Sequence, residues 1–442
     1  MYWVYTSDRR QPLQQGDRSM RLELETYHVR QVQLTDRSSF GDGVLSVNRE
    51  ELLEILTSDA SIARAEVNLA FPGEATRIVH VLDTLEPRYK AAGHGRIFPG
   101  LLGPPDTVGS GRTHRLQGVA LVVTARFPQP VSGLLQPREA IVDMSGPAAL
   151  YSPFSETINL VVTFHPAPDV DNVEFDQALR LASLRAAEAL AGLTRDLPPD
   201  DLQTFELTET DPTLPRIAYL YQAQSQGIFS DTYLYGRPIE NMVPTLIHPN
   251  EVMDGALVSG NYVYACFKNP TYLHCNNPVI QELYAQHGRS LTFAGVVLYR
   301  GHNYTQAEKQ RAGNYTAKLA SFLRADGAIL TGEGGGNSAI DMMLALQECE
   351  RLGIKTTVIT YELGGPEGRD FPLVHGVPEA DAIVSTGSVD RWLELPAMAR
   401  VLGGDTYLDS GRPAGEAREL SFDFLYCLAG QFGAGRLMAQ VY

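Results

Sequence analysis

Cysteine is scarce in this chain, with four residues among 442 and no dense spacing. So sparse a set excludes a disulfide scaffold and suits a reducing, cytoplasmic compartment. Long apolar runs are missing too, and none reaches the roughly 18 residues that a membrane-spanning helix needs. The opening MYWVYTSDRRQPLQQGDRS lacks the basic-then-apolar order of a signal peptide, so no membrane association is expected. Basic residues are outnumbered, 36 Lys and Arg against 52 Asp and Glu, for a net charge of -16. That balance repels phosphate backbones and argues against a nucleic-acid partner. No solenoid-length repeat, low-complexity tract, G-x-S-x-G elbow or H-E-x-x-H pair is present.

What is present describes a globular chain. Hydrophobic residues make up 44% and charged residues 20%, ample for a buried core in about two to three domains. The first half reads as strand-rich with inserted helices. LELETYHVRQVQL alternates as one half-exposed strand, and VLSVNREELLEILTSD passes from a strand into a helix capped near Asn48. GVALVVTARF, INLVVTFHP, RIAYLYQ and PTLIH read as buried strands, and residues 173–193 as an amphipathic helix. After that, strands TFAGVVLYR, GAILT, KTTVITYEL and DAIVSTGS alternate with helices over 305–324 and 338–352. The pattern predicts an α/β chain with an N-terminal extension (1–19) and a strand-rich mixed α/β N-terminal lobe (20–260). A turn-rich central segment (261–278) would lead to a doubly wound, mostly parallel, Rossmann-like C-terminal lobe (279–442).

The stretch EVMDGALVSGNYVYACFKNPTYLHCNNP, ending at Pro278, is the most unusual part of the sequence. Gly260-Asn261, Asn269-Pro270 and Asn277-Pro278 mark three turns. Two of the four thiols, Cys266 and Cys275, lie among them. Either is a candidate catalytic thiol, provided that Lys268, His274 or a helix N-terminus favours the thiolate; a buried inert cysteine is the bland alternative. Cys266, His274 and Cys275 lack a second ligand pair at zinc spacing, so no metal is expected. Cys349 and Cys427 read as core.

Four polar groupings are candidate substrate contacts. Gly332-Glu333-Gly334-Gly335-Gly336-Asn337 follows a strand and opens a helix, so Gly335 and Asn337 would present backbone N–H groups to a carboxylate. It misses the dinucleotide spacing and no P-loop lysine follows. Arg112, after the flexible Gly109-Ser110-Gly111, could hold a carboxylate bidentately. Gln224, Gln226 and Asp231 follow a buried strand, where α/β proteins commonly build sites. The turn at Asp143 ranks below them. In each case a solvated loop, a positive-φ turn or a satisfied hydrogen-bond network is the structural alternative.

The long strings carry a resemblance. MRLELETYHVRQVQL, FGDGVLSVNREEL, FPGLLGPPDTVGSGRTH, DMSGPAALYSPFSETINLV, QSQGIFSDTYLYG, EVMDGALVSGN, KNPTYLHCNNPVIQELYAQHG and EGGGN cover nearly everything from Met20 onward. Together they resemble the proprotein subunit of component B of the glycine, sarcosine and betaine reductases. The resemblance implies an oxidoreductase subunit that helps cleave a C–N bond of a small amino-acid-like substrate reductively. It also implies a partner subunit bearing a selenocysteine or cysteine redox centre. In that family the chain is cut at a cysteine following an Asn in the Gly-Asn turn, leaving a pyruvoyl-type group that captures the substrate amine. Here the residue after Asn261 is Tyr262. Self-cleavage to a pyruvoyl group needs a Ser, Thr or Cys that attacks its own preceding carbonyl and then loses its heteroatom, and a phenol offers neither step. The expectation is an uncut chain without that cofactor. A non-catalytic scaffold supporting a redox-active partner is the alternative.

Overall fold

The computed structural model describes residues 20–436 apart from 130–138, 226–231, 261–264, 366, 368–369, 371 and 434. Seven α-helices lie among the described residues: α1 (Arg49–Leu56), α2 (Asn172–Gly192), α3 (Pro249–Met253), α4 (Thr271–Cys275), α5 (Pro278–Gln286), α6 (Gln306–Phe322) and α7 (Asn337–Arg351). Their starts follow local chemistry. Asn48 accepts from the Glu50 and Glu51 N–H groups, Asp171 from those of Val173 and Glu174, and Thr305 forms a reciprocal box with Glu308. None of the described helices is long and apolar enough to cross a membrane.

The expected strand over LELETYHVRQVQL is two strands in different sheets. Leu22–His28 runs parallel to Gly111–Gln117, whereas Gln31–Thr35 pairs with Val44–Asn48. The chain changes sheets because Val29 N–H still bonds Gln117 while the N–H groups of Arg30 and Gln31 both turn to the Gly43 carbonyl. Two four-stranded mixed sheets, with α1 and α2 alongside, build the first part of the molecule.

The largest sheet has six strands in the order Thr245–Ile247, Thr292–Gly301, Arg216–Gln224, Gly327–Thr331, Lys355–Glu362 and Ile383–Ser388. All but the first pair in parallel. Numbered among themselves in chain order, the parallel strands run 2-1-3-4-5. Alternation assigns the faces. Ala218, Leu220, Val297 and Leu330 pack beneath α6 and α7, while Tyr219, Tyr221, Val296 and Leu298 face α5 and the first part of the chain. The reversal of direction at the first strand brings its C-terminal end beside that of the third, and such a switch point opens a crevice.

Strands from both sides of the segment 261–278 enter the six-stranded sheet. The first parallel strand, Arg216–Gln224, which lies inside the sheet, and the antiparallel edge strand both come from before residue 260. In the other direction, Arg400–Leu402 pairs in parallel with Thr76–Ile78. Within the segment, Ala265–Phe267 forms a 3-10 turn and α4 follows it. The crossing at Arg400–Leu402 is held by Arg77, wholly buried. Its Nε and Nη2 bond the two Asp143 oxygens at 2.7 and 2.8 Å, and its Nη1 reaches Tyr407 Oη and the Ala414 carbonyl. The turn carboxylate of Asp143 is thereby spent on structure.

Candidate active site

The crevice at the switch point is occupied by a carboxylate. Gln224 ends the first parallel strand, Thr331 ends the third, and Glu333 stands two residues beyond Thr331. Its Oε2 accepts from Gln224 N–H at 3.0 Å and its Oε1 from Asn269 N–H at 3.0 Å. One side chain therefore ties the glycine-rich turn to a strand end and to the segment before α4. Glu333 is buried, and burial pushes its carboxyl up to about 7. The two backbone N–H groups and the Lys268 charge oppose that rise, while Asp83 adds to it.

His274 comes to the same place from α4. Its Nδ1 meets the Tyr221 hydroxyl, and its Nε2 lies 3.7 Å from Glu333 Oε1. Burial first, and the Lys268 charge second, push the imidazole down to about 3, so it is neutral. Tyr221 is held protonated by burial, with Glu333 and Tyr219 adding to the shift. Its ring stacks on Tyr219, whose hydroxyl bonds Thr331 Oγ1 at 2.6 Å and accepts from Asn277 Nδ2 at 3.2 Å. Lys268 is buried and its ammonium reaches the Leu82 carbonyl. Asp83 accepts from Thr271 N–H at 3.0 Å and Thr271 Oγ1 at 2.6 Å, which fixes the start of α4.

The glycine turn is shaped by close approach. A Cβ on Gly335 would stand 2.6 Å from Tyr361 Oη, and Gly334 and Gly336 adopt φ of 84° and 65°. Its Gly334 N–H is engaged by Gln431 Oε1 at 3.1 Å, and Gln431 Nε2 returns a bond to the Gly334 carbonyl at 2.8 Å. The Gly335 carbonyl accepts from Ser338 Oγ, and the carbonyl of Asn337, exposed at the first turn of α7, accepts from Lys309 Nζ at 3.2 Å.

The remaining candidates scatter. Gln224 joins the crevice through its backbone, while its side-chain Oε1 accepts from Ser225 N–H. Arg112 lies on the strand Gly111–Gln117, half-exposed, 3.5 Å from Glu25. Gln226 and Asp231, and Asn261 and Tyr262, lie outside the described residues. All four cysteines are buried and outside any disulfide. Cys266 and Cys275 belong to different hydrophobic clusters, so they do not face each other as a pair. Burial pushes the Cys275 thiol up to about 12 despite Arg88 nearby, and the neutral His274 beside it in sequence supplies no compensating charge.

Glu333, Asn269, Tyr221 and Asp83 are site residues that the sequence reading did not single out. Glu333 carried one signal: it is the only ionisable residue in a glycine-rich turn directly after a buried strand.

Comparison with known proteins places the chain. The sequence family described as glycine/sarcosine/betaine reductase component B subunits matches residues 20–423. The glycine reductase complex component B subunits alpha and beta of Peptoclostridium acidaminophilum are 40% identical, over 88% of this chain and 91% of that protein. From the same organism, the sarcosine reductase complex component B subunit alpha is 38% identical over 88% and 91%. Its betaine reductase counterpart is 35% identical over 87% and 88%. No solved structure matches. With the family matched across nearly all of the described chain, this protein belongs to the glycine/sarcosine/betaine reductase component B subunits.

Proposed function

We propose that the chain is a subunit of a glycine/sarcosine/betaine-type reductase complex and that it works there uncut. Reductive cleavage of a small amino-acid-like substrate would occur with a partner subunit carrying the selenocysteine or cysteine. The observation that carries this reading is similarity over 87–88% of the chain to component B subunits of three such complexes. Burial of all four thiols supports leaving the redox centre to the partner. The finer architecture that goes with the reading is a Rossmann-like parallel sheet whose switch-point crevice, at Gln224 and Glu333, takes the substrate. Gln226 and Asp231 follow that strand end in the sequence and are kept as substrate contacts, as is Arg112, half-exposed on the strand Gly111–Gln117.

The residues do not fit a pyruvoyl group. Tyr262 has no β-heteroatom to lose. The one nearby thiol, Cys266, is buried, and its flanking peptides are pinned: the Ala265 carbonyl accepts from Cys427 N–H at 2.8 Å and the Cys266 carbonyl from Ala429 N–H at 2.9 Å. An attack on the Ala265 carbonyl would have to break that pairing. Intact mass tests the point: the purified chain is expected as one species near 48.5 kDa. Two fragments, the second starting with a keto group at residue 262 or 266, would overturn it. Membership of a complex is tested by tagging the chain in its host and measuring substrate-dependent amine release by whatever co-purifies. A chain that purifies alone and leaves amine release unchanged when deleted would remove the complex from the reading.

A further inference from the structure

The crevice around Glu333 has more hydrogen-bond donors than the protein uses. Asn269 Nδ2 and His274 Nε2 are buried and find no hydrogen-bond partner among the described residues. The network assigns the imidazole tautomer. Tyr221 keeps its proton and presents its hydroxyl to His274 Nδ1, so Nδ1 accepts and Nε2 carries the hydrogen. That Nε2–H stands 3.7 Å from Glu333 Oε1, too far to be satisfied by it. The two residues with unmet donors converge on one atom, Glu333 Oε1, which takes the Asn269 backbone N–H and faces His274 Nε2. A native protein that leaves such donors unmet marks a place to look for a ligand.

We propose that the crevice between the ends of Arg216–Gln224 and Gly327–Thr331 binds the carboxylate of a small amino acid, with His274 Nε2–H, Asn269 Nδ2 and a protonated Glu333 as its donors. The assignment rests on the reading above for its substrate class and for the crevice that takes the substrate. The charged and titratable groups facing Glu333 fit it. Lys268, ahead of α4, supplies one positive charge; Asp83, from the strand Val81–Leu85, supplies one negative charge already engaged by Thr271. His274, and the phenols Tyr219, Tyr221 and Tyr426 that also lie within electrostatic reach of Glu333, are all held neutral by burial. An incoming carboxylate cannot share this space with an ionised Glu333, because two adjacent buried carboxylates do not both stay charged. Glu333 must hold its proton when the ligand is bound, and then its hydroxyl becomes a third donor, as a buried neutral carboxyl can.

Binding is thereby tied to one proton. Above the pH at which free Glu333 ionises, the site takes up a proton with each ligand. With that pH at about 7, uptake is about 0.1 proton per ligand at pH 6 and about 0.9 at pH 8. Affinity falls about tenfold for each pH unit above it.

Isothermal titration calorimetry of the full-length chain, with any subunit that accompanies it, tests this with glycine and acetate as probes. Each titration is run in two buffers of different ionisation enthalpy at pH 6 and pH 8. Both probes are expected to show the same rise in proton uptake, since the effect belongs to the carboxylate. Glu333→Gln keeps a neutral group of the same shape, so it is expected to bind glycine without proton uptake and about tenfold tighter than wild type at pH 8. Asn269→Ala, which leaves Glu333 in place, weakens both probes while keeping the proton linkage. Weaker binding by Glu333→Gln at pH 8, a proton linkage that survives that substitution, or no binding of either probe would overturn the assignment. Amine release by the wild-type complex is a separate readout, so failure of the carboxylate site and failure of the reductase reading are told apart.

Discussion

Replacing Glu333 with Gln should change how the stability of the protein depends on pH. In the unfolded chain this carboxyl loses its proton near its ordinary 4.5, whereas in the folded chain burial delays the loss to about 7. Between those values the folded form binds more protons than the unfolded form. The contribution to stability is therefore fully present below 4.5 and is lost as pH rises through 7. At ~1.4 kcal/mol for each pH unit separating the two states, the whole loss comes to about 3 kcal/mol. About 2.5 kcal/mol of it falls between pH 5 and pH 8. Glu333 is fully enclosed, so bulk solvent does not screen the effect. The Gln variant has nothing to titrate there. It faces the N–H groups of Gln224 and Asn269 with one acceptor instead of two, which offsets its stability by a constant amount that cancels when the two pH values are compared. Urea unfolding of both proteins at pH 5 and pH 8 gives the four free energies required. The variant should gain about 2.5 kcal/mol on wild type over that range. A gap between the two proteins that is the same at both pH values would refute the buried, late-titrating carboxyl, and with it the proton-linked ligand site.

Other parts of the structure make independent predictions. Asp143→Ala strands a wholly buried guanidinium, and one broken buried pair costs about 3–5 kcal/mol; because Arg77 keeps Tyr407 Oη and the Ala414 carbonyl, the lower end is expected in urea unfolding. The double replacement Arg77→Met with Asp143→Leu should recover most of that loss, and a single mutant no worse than the double would contradict the account. With Cys275, Cys349 and Cys427 each pushed up to about 12 by burial and Cys266 equally enclosed, an aromatic disulfide reagent at pH 7.5 should modify no thiol in the folded protein and all four in urea. Rapid labelling of the native chain would point to an accessible thiol. Gly335→Ala drives a methyl to 2.6 Å from Tyr361 Oη, whose ring is already packed 4.5 Å from that of Phe267, so a loss of about 1–3 kcal/mol is expected in the same unfolding assay.

Much of the fold was legible in the sequence because its signals are local. Asn48, Asp171 and Thr305 cap the helices that their positions announce, and the alternating Val, Ile, Leu and Tyr of the second half are the strands of the parallel sheet. The errors come where partners are distant in sequence. Nothing in LELETYHVRQVQL says that Val29 still bonds Gln117 while Arg30 turns to Gly43. Nothing in RIAYLYQAQ says that it is the middle of a sheet whose neighbours begin at Thr292 and Gly327. Hydrophobic pattern identifies a buried strand; it does not give the strand's place in the order.

The site illustrates the same limit and shows where its chemistry comes from. Cysteines draw attention in a sequence because thiols are reactive in principle, yet all four are buried here, and burial suppresses ionisation of Cys275, Cys349 and Cys427. A glutamate inside a run of glycines draws little attention, since its ordinary place is on a solvated turn. It becomes unusual only through the 2-1-3 reversal of the sheet, which puts the ends of Arg216–Gln224 and Gly327–Thr331 side by side and brings α4 over them. That topology deprives Glu333 of water, gives it two backbone donors in exchange, and brings up His274 and Asn269, whose Nε2 and Nδ2 have no acceptors of their own. If residue 262 no longer yields a carbonyl to seize the substrate's nitrogen, recognition must rest on the substrate's other end, and the unmet donors of this crevice are suited to a carboxylate.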